Sequence, residues 1–422
     1  MGKAAQLYAQ ELGVLAHGHP MWCPEPMGPY EVRVGDVGFI DEDGQFHRLF
    51  NATVGGEHPY NQHGVPEGFQ PLGIQPHLIN IRPNHLPQGP ISSSSVKSYK
   101  VDASGSTGIS GVASGQLSYS FDCSTTRGAI LVLVAAAKKT YVPHSNSMTS
   151  YMGKNHASWY RFATNPNQLG LELSPEDIVM VRGTIKTASW GVGAYINNGD
   201  TSHGVSFTAQ MGQLAEASFE WSFTNQISAQ FYHREGGLPR HPLTPPLCSN
   251  QEGSQRPDEL ELPEVLAERN LSQTAGDHSS TSIENKDNQC VFLNYYKIKH
   301  RLTLWQKIAV AVGSSNFLSL GRRQSSPRAC VNSETGSVFE LPATSKSSQD
   351  QTPVDDLLDY ILEASDAILA VGSDYEVVEL LQRKYMPEDF RSFLRRTKPR
   401  ISVDDHGSTF LARHCLALFD SS

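Results

Sequence analysis

The chain has 422 residues, of which 38% are hydrophobic and 18% charged, and its formal net charge is −9. This length allows two or three domains with a sizeable core, and the hydrophobic fraction excludes a wholly disordered chain. The negative balance gives no electrostatic reason to expect nucleic acid or an acidic membrane as partner, so both are disfavoured.

The predicted elements begin with a helical segment in residues 1–20. A β-hairpin is predicted next, because apolar residues in 32–40 and 46–50 flank the acidic, Gly-ended turn 41–44. Prolines recur throughout 55–91, so we expect this stretch to wrap over the surface with little regular sheet.

Alternation of apolar and polar residues then predicts a series of strands. An unbroken apolar run, 129–137, is typical of a strand buried on both sides. One amphipathic helix is predicted over 147–163, where large apolar side chains recur at helical spacing. The strands predicted from alternation or apolar runs are 116–123, 178–185, 205–211, 217–223, 291–298 and 304–312.

Two segments have the composition of disordered chain. Residues 233–288 are acidic and Pro-rich, and 313–351 are Ser-rich, so neither offers enough apolar surface to offset the entropy of ordering. The C-terminal segment 352–422 is predicted to hold helices over 354–362 and 374–385 around a short strand.

These elements predict an α+β fold, with a mainly antiparallel β body and a small helical α/β C-terminal segment. Disordered insertions interrupt the body. The predicted parts are 1–20, a β-rich main domain of 21–232 plus 289–312, the insertion 233–288, the linker 313–351 and the C-terminal segment 352–422.

A family resemblance is carried by these stretches: 22–26, 35–40 together with Phe46 and 49–51, 65–69, 128–133, 157–162, 189–191 and 288–293. Together they resemble an expanded group of uncharacterised proteins from mushroom-forming (basidiomycete) fungi. The resemblance covers about 20–312 apart from the insertion, and it weakens after residue 352. It implies a fungal source, and the group carries no established activity, cofactor or site residue.

No catalytic or metal-binding motif occurs in the sequence. The chain has 16 His and 6 Cys, with no HExxH and no CxxC pair, so reduced thiols and no metal are expected. Neither a GxSxG elbow nor a phosphate-binding loop is present, so no cofactor is predicted. The local histidine groups are His17 with His19, His58 with His63, and His77 with His85.

Two surface features suggest modification or binding. Arg391, Arg395 and Arg396 lie in a C-terminal basic cluster that would suit an anionic partner. Ser325 and Ser326 follow two arginines in the Ser-rich linker, a context suited to phosphorylation.

The absence of a catalytic motif favours a non-enzymatic interaction or regulatory protein, with another protein as partner and any small molecule left open. No signal peptide or long apolar stretch is present, so an intracellular, cytoplasmic location is expected. One alternative is an enzyme, or a biosynthetic-cluster accessory protein, whose site is assembled from distant strands. A β-pore-forming protein is the second alternative, because 92–126 and 205–231 resemble amphipathic pore hairpins. Under the enzyme alternative the candidate site residues are Glu25, Asp36, His58, Arg161 and Trp190.

Overall fold

The structure is a computed structural model that describes residues 2–101, 117–123, 126–197, 205–211, 219–223, 229–237, 287–301, 352–381, 389–403 and 408–411. Its helices are α1 (Lys3–Gly13), α2 (Asn146–Thr164), α3 (Pro353–Glu363), α4 (Asp374–Leu380) and α5 (Phe390–Thr397). The strands up to the middle of the chain are β1 (His19–Pro20), β2 (Asp36–Ile40), β3 (Phe46–Asn51), β4 (Asn80–Leu86), β5 (Gly89–Ser92), β6 (Val96–Val101), β7 (Leu117–Cys123), β8 (Arg127–Leu133) and β9 (Ala137–Tyr141). Those that follow are β10 (Val179–Thr187), β11 (Trp190–Asn197), β12 (Val205–Met211), β13 (Phe219–Phe223), β14 (Ala229–Gly236), β15 (Gln289–His300), β16 (Leu369–Ser373), β17 (Ile401–Val403) and β18 (Ser408–Leu411).

The strands form one large sheet and two four-stranded sheets. The large sheet has the order β17-β18-β16-β15-β10-β2-β3, with β9 also on β10, β4 on β9 and β1 on β15. The smaller sheets have the orders β14-β11-β8-β5 and β13-β12-β7-β6. Pairing is antiparallel except between β16 and β18. The predicted α+β fold with mainly antiparallel sheets is therefore confirmed.

The predicted hairpin is β2 and β3, and its turn is built by local chemistry. Asp41 Oδ1 accepts hydrogen bonds from the backbone N–H of Asp43 and of Gln45, both at 2.9 Å. Gly44 adopts a φ of +74°, which suits glycine, and an added Cβ would lie 2.9 Å from that of Trp22. The turn thus has both the side chain and the glycine that it needs.

The three sheets are stacked, and the middle one is covered on both sides. Residues Leu131 and Leu133 of β8 belong to a core shared with α1 and the large sheet, whereas Ile130 and Val132 belong to a core shared with β7. This explains the apolar run within β8, because a strand buried on both sides has no polar face. The predicted single strand over 129–137 is shorter than expected, since β8 ends at Leu133 and β9 begins at Ala137.

Helix α2 forms as predicted and covers another part of the large sheet. Ser145 caps its N-terminus by accepting from the N–H of Ser147 at 3.2 Å. Its buried residues pack on β10 and β15 and form one core. A second core, which includes residues of α1, lies on the same face of the sheet. We call them the α1 core, which includes Leu12, Ile185 and Phe292, and the α2 core, which includes Met180 and Tyr296.

Two expectations from the sequence are corrected. The Pro-rich stretch 55–91 contains the regular strands β4 and β5. Pro83 is accommodated because β4 pairs only with β9 and so leaves an edge free of partners within the described residues. Helix α4 ends at Leu380, and 382–388 lie outside the described residues.

Parts of the chain named by the sequence analysis lie outside the described residues. These are 238–286 of the acidic insertion, the apolar run 304–312 and the Ser-rich linker with Ser325 and Ser326. Strand β14 runs to Gly236, past residue 233 where the acidic composition begins.

Candidate functional site

A β-bulge in β10 places a charged side chain between the two cores. Val181 pairs with Tyr295 and Gly183 pairs with Asn294, so Arg182 is one extra residue on β10. Its guanidinium donates from Nη1 to the Val142 carbonyl at 3.0 Å, on the side of the sheet where α2 lies. The bulge thus turns an arginine toward the face of the sheet that carries the α1 core and the α2 core.

The residues around this bulge form a continuous polar region that separates the α1 core from the α2 core. We call this region the polar band. It is drawn from five chain segments that are distant in sequence. Its members are Arg82, Lys139, Tyr141, Arg182, Asn294, Asp374 and Tyr375.

The floor of the polar band is a buried hydrogen-bonded group. Arg182 and Asn294 are 2% and 1% exposed. Asp374 lies 3.5 Å from Arg182 Nε, and it accepts from Asn294 Nδ2 at 2.5 Å and from the N–H of Tyr295 at 3.1 Å. Arg182 Nε and Asn294 Oδ1 remain buried without a hydrogen bond. The floor therefore retains an unused donor and an unused acceptor.

The rim of the polar band carries two like charges in direct opposition. Arg82 of β4 and Lys139 of β9 are cross-strand partners, and their charged groups lie 5.3 and 5.4 Å from the ring centre of Tyr141. Burial lowers the pKa of Lys139, and the charges of Arg182 and Arg82 lower it further, against the opposing effect of Asp374. Like charges directly opposite one another destabilise a sheet.

Histidines lie at both ends of the polar band. The rings of His17 and His85 are 6.3 Å apart, and burial and then Lys139 lower the pKa of both, to about 4 for His85. At the other end His144 stacks on Tyr375 at 6.0 Å, and its Nδ1 lies 3.2 Å from the Tyr296 hydroxyl. His17 and His85 are consequently neutral at pH 7, so they add no positive charge.

An open cavity of about 420 Å³ adjoins the His144 end of the polar band. Leu78 and residues 142–147 line it, including the N-terminal turn of α2. Tyr375, stacked on His144, is 38% exposed, and Leu78 is 39% exposed. Apolar surface is therefore open to solvent beside the charged groups.

Arg234 contacts two of the residues predicted under the enzyme alternative, Glu25 and Trp190. Arg234 Nη2 lies 2.7 Å from Glu25 Oε1, and its guanidinium lies 5.9 Å from the Trp190 ring. Arg234 Nη1 also contacts the Cys23 sulfur, whose pKa burial raises to about 11. A thiol with that pKa is a poor nucleophile.

Asp36 and His58 lie in a second group of contacts, around Arg48 and Tyr60. Arg161 lies neither there nor beside Arg234. Asp36 is fully buried, 2.8 Å from Arg48 Nε, and burial raises its pKa despite that pairing. Arg48 lies 5.5 Å from the ring of Tyr60, which His58 contacts at 4.6 Å. Arg161 is exposed on α2. The five candidates are thus divided among separate places.

The predicted anion contacts lie against carboxylates of α3. Arg391 is 3.2 Å from Asp359 and 3.1 Å from Glu363, and Arg395 is 3.0 Å from Glu363. Arg396 is exposed on α5. The charges of Arg391 and Arg395 are therefore balanced within the C-terminal segment.

Sequence reasoning missed the polar band, although one signal was present. Arg182 is a lone charge in the apolar run 178–185, and a buried charge without a local partner calls for a partner elsewhere in the chain. His17 and His85 were noticed only as members of two different histidine groups.

Comparison with protein-family models, with curated proteins and with solved structures finds no match to this chain. No helix in the described part of the chain is long and apolar enough to cross a membrane.

Proposed function

We propose that this protein is a non-enzymatic interaction or regulatory protein of the cell interior, which recognises an acidic segment of a partner protein through the polar band. The single observation that carries this proposal is the opposed pair Arg82 and Lys139, with Arg182 beneath it. Asp374 is the one carboxylate among the members of the band, where it lies near Arg182 and Lys139, and Glu376 beside the band also acts on Arg182. The net charge of the chain is −9.

A bound carboxylate would relieve the repulsion between these cations. Arginine suits bidentate contact with a carboxylate, and Arg82 is exposed at the rim. The exposed surfaces of Leu78 and Tyr375 add an apolar contact beside the charges. A segment that combines acidic and apolar side chains therefore fits this region best.

The proposal is tested by titrating the full chain with a fluorescent ten-residue peptide of alternating Glu and Leu. Lys139→Gln should weaken binding about tenfold, as expected for an interface residue that contributes roughly 1.4 kcal/mol. Binding by the wild type should also weaken with added salt, because part of the rim is exposed.

Lys138→Gln is the matched control for this titration. Lys138 precedes Lys139 on the same strand, so its side chain points to the opposite face, where it lies 3.7 Å from Asp287. Equal losses in both variants would refute the polar band as the binding surface, as would a wild type that does not bind the peptide. A chain lacking 238–286 tests whether that insertion adds a second contact.

The enzyme alternative is supported by one observation, the partly buried amine of Lys139 with its lowered pKa. Turnover of a carbonyl-containing acid by the wild type, lost in Lys139→Gln, would favour the enzyme alternative over the interaction role.

The fungal source suggested by the resemblance is part of the proposal, and it directs the search for partners to basidiomycete cells.

A further inference from the structure

Strand β4 forms an edge of the large sheet. It pairs with β9 on one side, and no strand of the described residues pairs with its other side. The pairing with β9 is regular from Asn80 to Arg82, after which the register shifts. An edge strand presents a row of N–H and C=O groups that another strand can pair with. On β4 this row ends at Pro83, which has no N–H.

The two faces of this edge differ in chemistry. Side chains alternate across extended backbone, so Arg82 points to the face of the polar band, and Ile79 and Ile81 point to the opposite face. Arg82 is exposed, and its guanidinium lies 5.3 Å from the ring centre of Tyr141. Ile79 is 39% exposed and Ile81 is 60% exposed. One face of the edge is thus cationic and the other is apolar.

The residues of β4 restrict which strands can pair with its edge. An open edge with apolar side chains tends to pair with other chains, and proteins limit this pairing with charged side chains and proline. Strand β4 has both devices, in Arg82 and Pro83. Arg82 and its cross-strand partner Lys139 repel a basic strand and attract an acidic one, so the edge discriminates between partners by charge.

We infer that the acidic segment of the partner protein binds as an extended strand added to the edge of β4. Its acidic side chains lie on the face of Arg82, and its apolar side chains lie on the face of Ile81. This inference rests on the function proposed above and specifies the conformation and residue pattern of the partner. Backbone hydrogen bonds to β4 supply affinity, and the two faces supply specificity. Acidic and apolar residues that alternate singly satisfy both faces, whereas helical spacing does not.

The first test compares the alternating Glu and Leu peptide with a peptide of the same length and composition in which Glu and Leu occur in pairs. The full chain should bind the alternating peptide about tenfold more tightly, because only alternation places every Glu on one face of a strand. Equal binding of the two peptides would overturn the added strand and leave the proposed function standing. Binding of neither peptide would refute the proposed function itself.

Methylation of the peptide backbone gives a second readout, which is specific to a strand edge. In an added strand the N–H groups of all Glu residues point one way and those of all Leu residues point the other way, so only one set faces β4. One peptide therefore carries N-methyl groups on its central Glu residues, and another carries them on its central Leu residues. One of these should bind about tenfold more weakly than the parent, and the other should bind equally well. The same loss in both, or in neither, would contradict strand addition.

Ile81→Ser tests the apolar face of the edge. It should weaken binding of the alternating peptide about fivefold, because it removes an apolar contact. Ile368→Ser is the matched control, since Ile368 is 73% exposed and precedes β16, which β15, β10 and β9 separate from β4. Thermal melts confirm that both variants are folded. Equal binding by the two variants would overturn the contact at Ile81.

Two other occupants of the β4 edge would give different results. Tighter peptide binding by a chain lacking 238–286 would identify the insertion of this chain as the occupant. A wild-type dimer that dissociates when the peptide is added would identify a second copy of the chain. Either result would overturn the assignment of the edge to a partner protein.

Discussion

Glu376 of α4 shows how a single buried side chain makes stability depend on pH. Its carboxylate accepts from the Ser373 N–H at 2.8 Å, from the Ser373 hydroxyl at 3.0 Å and from the Leu411 N–H at 3.3 Å. Burial raises its pKa to about 7 in spite of these donors. Part of the population is therefore protonated near neutral pH.

Replacing Glu376 with Gln should change the pH dependence of stability. The unfolded glutamate has a pKa of about 4.3, so between that value and 7 the folded state binds more protons and stability falls as pH rises. The free energy of unfolding of the wild type, relative to Glu376→Gln, should fall by at most roughly 3 kcal/mol from pH 5 to pH 8. Urea unfolding across this range measures it.

Glu172→Gln, at an exposed position before β10, is the control for this pH series. A difference between wild type and Glu376→Gln that stays constant from pH 5 to pH 8 would contradict the assignment. Asp356, whose pKa burial raises to about 6, titrates in both proteins and so cancels in the comparison.

At the scale of elements, the bulge in β10 depends on close packing with β9. An added Cβ on Gly183 would lie 2.8 Å from the Tyr141 Cβ and 3.0 Å from the Thr140 carbonyl oxygen. Strand β9 lies this close only because position 183 has no side chain. The same strand carries Lys139, so the spacing of β9 and β10 sets the rim of the polar band.

Gly183→Ala should therefore move β9 and destabilise the fold by roughly 1 to 3 kcal/mol, as overpacking does elsewhere. Gly73→Ala is the matched control, because no atom lies within 4 Å of an added Cβ there. Chemical denaturation compares the two variants. Equal free energies of unfolding for the two variants would show that β9 can move away from position 183 without destabilising the fold, which would contradict the packing argument.

At the scale of the whole molecule, polar contacts join the C-terminal segment to the large sheet. Lys297 of β15 lies 2.5 Å from Asp355 of α3, and Lys299 lies 2.7 Å from Asp359. Burial raises the pKa of Asp355, but Lys297 and Thr352 together bring it down to about 2. The Lys297–Asp355 pair is mostly buried, at 11% and 12% side-chain exposure.

A double-mutant cycle measures how strongly this pair couples the two parts. Lys297→Met should cost about 3 to 5 kcal/mol, because it leaves the Asp355 carboxylate buried and unpaired. Adding Asp355→Asn, which keeps an acceptor for Thr352, should recover part of that loss. Strictly additive effects in urea unfolding would mean that the pair contributes no coupling.

Local patterns in the sequence were sufficient for most elements. The hairpin β2–β3, helix α2 and strands β7, β10 and β15 follow from spacing that a short window of residues contains. Strands β4 and β5 were missed because proline normally marks the absence of sheet, whereas an edge strand tolerates it.

The sequence by itself determined the elements with a clear apolar periodicity, such as β2, β3, β10 and α2, because side-chain periodicity is a local property. Only the tertiary structure brings the members of the polar band together and places His156 against His300. Arg82, Lys139, Arg182 and Asp374 come together through strand order and one extra residue in β10. Register and bulges arise from pairing across the whole sheet, so no single segment encodes them.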